Sequence, residues 1–557
     1  MKPRTVALFP VLCLVMVLGL LVSGCTPAAA PTPEPAVPAP KAAAPAATPK
    51  PAAGQPESGG VLTFWLTHDQ PSMDPNQETT IFQQMLCRPV YSTLLRLDPT
   101  KLPDDEVIIG DLAEKWEVSN DGKTLTFQLR KGVKFHDGSP LTSEDVKFTF
   151  ERLANPPTGI KSPTKELWQR IAKVEAPDAG TVKLTLERPI GWILDLMADN
   201  IGGIVSKNQV SKDQKALLQK GMGAGPFKFK SWDHGTGTEL VKNENYYLKG
   251  KPYLDGIRGI VIPDAATEVA ALRTGQVLFT GQGTRGLTVS ESKIVEKDLP
   301  GIKLVRYRST TRQEFFLNSQ KKPFTDVRVR RALLMVLDQQ AAIDLGYEGA
   351  GFKGGPLPPG KFSLPEAKLK ELPPYTGPTA ANIEAAKKLL AEAGFANGFS
   401  TTFAQGSTPQ YEEMQLAISN QLRKIGIDVK VRVLAYPVEL RAAAAKGDFD
   451  VMQIPKMSSL NDADSYLTAY ITDGSDNFGK FSDKTVDELY EKQAAILDVA
   501  ERKKVTDQLQ MRVWELAPSW TVLWPQYIAA ANPKVKGWNG MNVLRQNLEY
   551  DHIWLAK

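Results

Sequence analysis

Cysteine and histidine are both scarce in this chain: three cysteines, at 13, 25 and 87, and four histidines, at 68, 136, 234 and 552, are spread over 557 residues. Hydrolytic or metal chemistry draws on clustered imidazoles, thiolates or a nucleophile motif, and there is no H-E-x-x-H, G-x-S-x-G or C-x-x-C. No metal or other cofactor is therefore expected, and an extracytoplasmic hydrolase built on a scattered triad is kept only as a rival reading. A G-x-G-x-x-G stands at Gly349 to Gly354, but Gly355-Pro356-Leu357-Pro358-Pro359 follows it, which denies the helix that a dinucleotide loop must open. Charge of one sign is lacking too. The formal balance is +5 and no basic run or stripe stands out, so no nucleic-acid partner is expected.

What is present begins at the amino terminus. Lys2 and Arg4 precede an uncharged apolar stretch from Val6 to Val22, the pattern of a secretory signal. Leu21-Val22-Ser23-Gly24-Cys25 ends it and resembles the bacterial lipobox, which implies residues 1–24 as a lipoprotein signal peptide and Cys25 as the lipid-attachment site. Cys13 then leaves with the signal and Cys25 is modified, so Cys87 alone remains and no intramolecular disulfide is expected. Loss of Lys2 and Arg4 lowers the formal charge from +5 to +3. Residues 25–59 are mostly Ala and Pro and cannot build a core; they read as an extended linker of about 3.1 Å per residue where polyproline II forms.

From residue 60 to 557 strand and helix patterns alternate without another low-complexity break, giving an α/β class and more than one hydrophobic core. Leu125, Phe127 and Leu129 alternate with polar residues as a half-buried strand, and Lys131-Gly132 predicts a hairpin into Val133-Lys134-Phe135. Thr142 and Asp145 form a capping-box pattern before a helix with Val146, Thr149, Phe150 and Leu153 on one face. Ser400 to Phe403, a helix opening at Thr408-Pro409, and Ile427 to Val433 compose a βαβ unit. Ligands of such sheets gather at the carboxyl ends of the strands, which points to Gln405.

Asp111-Leu112-Ala113-Glu114-Lys115-Trp116-Glu117-Val118, Asn120-Asp121-Gly122-Lys123-Thr124 and Gly138-Ser139-Pro140-Leu141-Thr142 together resemble the signature of the family 5 extracellular solute-binding proteins, the peptide and nickel group. The likeness continues through Gly223-Ala224-Gly225-Pro226-Phe227, Asn243-Glu244-Asn245-Tyr246-Tyr247 and Pro323-Phe324-Thr325-Asp326-Val327-Arg328. It implies a two-lobed periplasmic-binding-protein-like fold with an extra domain inserted in the first lobe. On that pattern the first lobe comprises 60–95, 215–307 and 518–557, the inserted domain 96–214, and the second lobe 308–517.

The resemblance further implies a monomeric, extracytoplasmic, lipid-anchored receptor. It would capture a small molecule or peptide between its lobes by hinge closure and present it to the permease subunits of an ABC importer. A sensor or folding helper of the same fold is the rival within the family. Position in the family pattern nominates His68, Asp69, Gln313, Gln405, Lys456, Ser458, Ser459 and Trp524 as ligand-binding residues, with Trp524 able to stack on a ligand. Many peptide binders of this family carry a tryptophan and, three residues on, an aspartate that receives the peptide ammonium. Lys456 and Ser459 stand there instead, so the ligand is expected not to be a standard free-amine peptide, with Asp462 or Asp464 as substitutes if the match slips.

Overall fold

Alternating side chains build three principal sheets in the computed structural model, which describes residues 55–102, 106–280, 286–458, 460, 462–539 and 548–557. The first sheet has four strands in the order 61–66, 256–261, 237–242 and 227–233. Its leading strand runs parallel to 256–261 while the others are antiparallel. Leu62, Phe64, Tyr91, Phe227, Ile257 and Tyr550 share the core on it. A second sheet, in the order 113–118, 124–129, 181–186 and 171–178, packs Phe127 and Leu184 against Phe150, Trp168 and Trp192.

The largest sheet orders its strands 303–308, 519–531, 311–317, 451–457, 399–406 and 427–434, with the short strand 351–352 pairing onto 519–531. Helices cover both of its faces. On one, Phe315 and Phe403 meet Met414 and Trp520; on the other, Phe316 and Met452 meet Tyr466, Tyr470 and Trp524. Alternation along strands buried on both sides explains why neighbouring residues belong to different cores.

The βαβ unit forms as the sequence predicts: 399–406 and 427–434 pair in parallel around a helix at Pro409–Arg423. The capping box is present too, with the Thr142 amide donating to Asp145 at 2.9 Å ahead of the helix Ser143–Ala154. The hairpin is a correction. Strand 124–129 pairs with 113–118 and 181–186, and not with Val133 to Phe135. The tight turn is Ser119 to Thr124, where Gly122 takes a left-handed φ of 66°. Gly132 also turns left-handed, but Val133 and Phe135 then leave the sheet to fill the core. Cys87 is a buried free thiol.

A buried ionic network ties distant segments together. Arg88 bridges Asp111 at 3.0 Å and Glu549 at 2.6 Å and donates to the Tyr91 carbonyl. Arg96 at 3.1 Å and Lys251 at 3.4 Å share Asp551. Burial works against the Asp551 carboxylate, yet the neighbouring cations hold its pKa far below the ordinary carboxylate range. Stability from such a group exists above the unfolded pKa of about 3.9 and fades as pH falls below it. Asp551→Asn should leave Arg96 buried without its counter-ion and cost about 3–5 kcal/mol in denaturant unfolding at pH 7, a deficit that narrows below about pH 4.

Candidate functional site

The candidate site lies beside the two crossings within the largest sheet, at Arg308 to Thr311 between strands 303–308 and 311–317 and at Leu523 to Gln526 within strand 519–531. The nominated residues do not all meet there as free groups. His68 is exposed, with Nδ1 3.2 Å from Thr67 Oγ1 and its ring centroid 5.2 Å from that of Phe82. Asp69 is occupied. Its two oxygens accept Trp232 Nε1 at 2.9 Å and the Gly235 amide at 2.8 Å, which fastens the end of strand 61–66 to the turn of the 227–242 hairpin.

Lys456 is buried in an ion pair with Asp476, which also accepts the Thr468 hydroxyl at 2.9 Å. Burial lowers the Lys456 pKa while Asp476 supports the ammonium. The lysine therefore has its counter-charge within the protein. Ser458 is buried and donates to the Leu460 carbonyl, and Ser459 lies outside the described residues. Trp524, expected to stack on a ligand, is wholly buried: its Nε1 faces the Gly355 carbonyl at 3.3 Å and its ring meets Tyr466, centroids 5.3 Å apart. The Arg312 guanidinium lies 5.9 Å from the same ring and is itself paired with Glu314 at 2.7 Å. Alternation decides this, because Trp524 points into the helix-covered face that holds Phe316 and Met452.

Gln313 and Gln405 remain as open polar groups. Both are buried; Gln313 Nε2 donates to Tyr347 Oη at 2.8 Å, while Oε1 of each has no hydrogen-bond partner. Sequence reasoning missed their neighbours. Tyr411 and Tyr436 meet edge to face at 6.0 Å over Gly406, and Tyr527 meets Tyr307 at 5.9 Å beside the crossing. Tyr411 was legible only as an apolar position of its helix.

A second cluster lies where residues 188–195 approach residues 491–502. The Gly191 amide donates to the Ala494 carbonyl at 3.0 Å, and Arg188 pairs with Glu491. A side chain at Gly191 would collide with the Ile496 carbonyl, 2.7 Å from the Cβ position. Asp462 is bidentate to Arg502 at 2.7 and 2.5 Å, and Asp464 accepts Tyr490 Oη at 2.9 Å and Gln493 Nε2 at 3.1 Å. Neither aspartate is a free ammonium receptor. Asp195 retains some solvent contact, yet surrounding protein and then Asp462 raise its carboxyl to about 7, against Lys361 and Arg502, with Glu106 adding to the rise. Asp464 is raised to about 6, by burial and then by Asp462.

These features define a two-lobed binding protein, and comparison with known proteins places it. Residues 107–478, more than half of the chain, match the family described as "Bacterial extracellular solute-binding proteins, family 5 Middle". The chain belongs to the bacterial extracellular solute-binding proteins of family 5. Heme-binding protein A of Haemophilus influenzae is 29% identical over 460 residues, covering 77% of this chain and 81% of that protein. Among solved structures, the binding protein AgaA of A. tumefaciens in complex with agropinic acid superposes with a TM-score of 0.73 at 29% identity, covering 89% of this chain and 99% of that one. DppA of Helicobacter pylori with the peptide STSA gives 0.73 at 28% identity over 90% of this chain and 99% of that one. Proteins of this family are extracytoplasmic solute-binding partners of ABC permeases, and the relatives found are binding proteins, not enzymes.

A carboxyl raised in the folded state holds its proton more tightly there than in the unfolded chain, where about 3.9 is ordinary. Folding then takes up a proton, and stability falls as pH rises from about 4 through 7 and levels above it. Asp195→Asn should flatten that slope and stabilise the protein at pH 8 by on the order of 1 kcal/mol, read from urea unfolding between pH 5 and 8.

Proposed function

We propose that this protein is the lipid-anchored receptor of an ABC importer, tethered through Cys25 by the proline-rich linker and closing two lobes around a small ligand. The lobes and inserted domain keep the boundaries that the family pattern implies. Separate cores around Phe127 and Trp168, Phe64 and Ile257, and Phe315 and Phe403 support a division into three bodies, with Trp520 and Leu523 carrying the 518–557 segment into the core of the second lobe. Capture involves no chemistry. Ligand binds the closed form more tightly than the open one, and a swing from 1:99 to 99:1 takes about 5.5 kcal/mol of differential affinity.

The observation that carries the ligand reading is that the carboxylates able to replace the missing ammonium receptor are already used. Asp462 is committed by charge to Arg502 and Asp476 to Lys456, while hydrogen bonds hold Asp69 to Trp232 and Gly235 and Asp464 to Tyr490 and Gln493. A buried peptide ammonium would go unpaired, which is strongly unfavourable. Calorimetry with di- to pentapeptides should find the free-amine forms no tighter than their amino-acetylated counterparts. Tight binding that acetylation abolishes would refute this reading. Cys25→Ser should move the protein from the membrane to the soluble fraction; a wild-type amino-terminal peptide without lipid mass would count against the anchor.

A further inference from the structure

The strand ends hold a row of amides whose hydrogen-bonding capacity the protein does not use. Gln453 pairs in register with Phe315, and it lies two residues beyond Val451, which pairs with Phe403; Gln405 lies two residues beyond Phe403. Alternation therefore sets Gln313, Gln453 and Gln405 on one face of three adjacent strands, the face on which the rings of Phe315 and Phe403 meet. Their exposures are 3%, 0% and 1%. Oε1 of all three and Nε2 of Gln453 have no partner. An orphaned buried polar group costs about 1–3 kcal/mol, so three side by side call for a guest that satisfies them.

The walls around this row are aromatic and uncharged. Tyr347 and Tyr411 cover it from their helices, and burial pushes both phenols, and that of Tyr527, further above their ordinary range, so they stay protonated. Tyr347 accepts from Gln313, which leaves its own proton to donate. Tyr436, over the end of strand 399–406 at Gly406, is 39% exposed and opens the corner to solvent. Of the charges nearby, Lys456 is compensated by Asp476 and Arg312 by Glu314, while the exposed Arg441 stands within electrostatic reach of Tyr411 and Lys456. Arg308, half-buried at the crossing, lies against the Ser309 carbonyl at 3.5 Å and beside Tyr466.

We propose that the Gln313–Gln453–Gln405 row with Tyr347, Tyr411 and Tyr436 is a subsite for an uncharged ligand portion rich in O–H or N–H donors, such as a short neutral glycan or an end-blocked peptide. Amide oxygens accept from its donors while phenol rings cover its apolar faces. This rests on the importer-receptor reading and specifies what that receptor carries.

The test is calorimetry of the full soluble chain against cellotriose, maltotriose and N-acetyl-trialanine amide, with zwitterionic trialanine and citrate as the charged arm. At least one neutral probe should bind saturably, and which of them does separates glycan from peptide. Gln405→Leu should weaken it about tenfold, the loss of one hydrogen bond with its donor stranded. Tyr436→Ala, at an exposed position that folding tolerates, should weaken it several-fold. If Gln405→Leu fails to fold, the Tyr436 variant carries the decision. Binding confined to trialanine or citrate and lost in Arg308→Gln would overturn the subsite while leaving the receptor reading intact. No saturable binding in either arm would overturn both.

Discussion

One strand holds the two halves of this protein in common. Ser519–Ala531 pairs through Ser519 to Leu523 with strand 311–317, and through Gln526 to Ala531 with strand 303–308. Its thirteen residues therefore serve four cores, with Trp520 and Leu523 packed beside Phe315, Trp524 beside Phe316, Ala529 and Ala531 beside Phe64, and Ile528 and Ala530 beside Trp65. The register shift at Gln313 and Glu314 falls where the strand passes from one partner strand to the other. A bend at this point re-aims the side chains, as bulges do elsewhere, and Gln313 stands at it.

Around that crossing the protein balances its charges internally. The Arg312–Glu314 pair is fully buried, and Glu314 also accepts from Tyr470 at 2.9 Å and Thr521 at 3.0 Å, so its lone pairs are used as well as its charge. Buried ions add little net stability against apolar replacements, but removing one partner is costly. Ionic residues thus fix the scaffold around the crossing. The exception is the Asp195 cluster, where carboxyls outnumber the cations that face them and part of the repulsion is relieved by protonation.

Much of the architecture was legible in the sequence, because it is written in local chemistry. The Thr142–Asp145 box, the Pro409 helix start and the alternation of Ile427 to Val433 each act within a few residues, so pattern alone reveals them. The hairpin at Lys131-Gly132 was misread for the same reason: a left-handed glycine marks a turn without saying whether the chain rejoins the sheet or enters the core. The family resemblance is legible on the same terms, since the turn and cap residues that carry it are contiguous in the chain.

The candidate site was legible in outline only. Strand-end reasoning nominated Gln405 and the crossover position nominated Gln313, since position along a strand is a sequence property. It could not foresee that Lys456 would meet Asp476, twenty residues on, or that Asp69 would be claimed by the 227–242 hairpin. Nor could it show that Trp524 faces a core or that Tyr436 folds over Gly406. By itself the sequence determined the class, the elements and which side chains alternate together, all consequences of short-range sterics and periodicity. Which charges are spent on partners and which polar atoms are left without one was decided by tertiary packing alone, because pairing depends on approach between segments far apart in the chain.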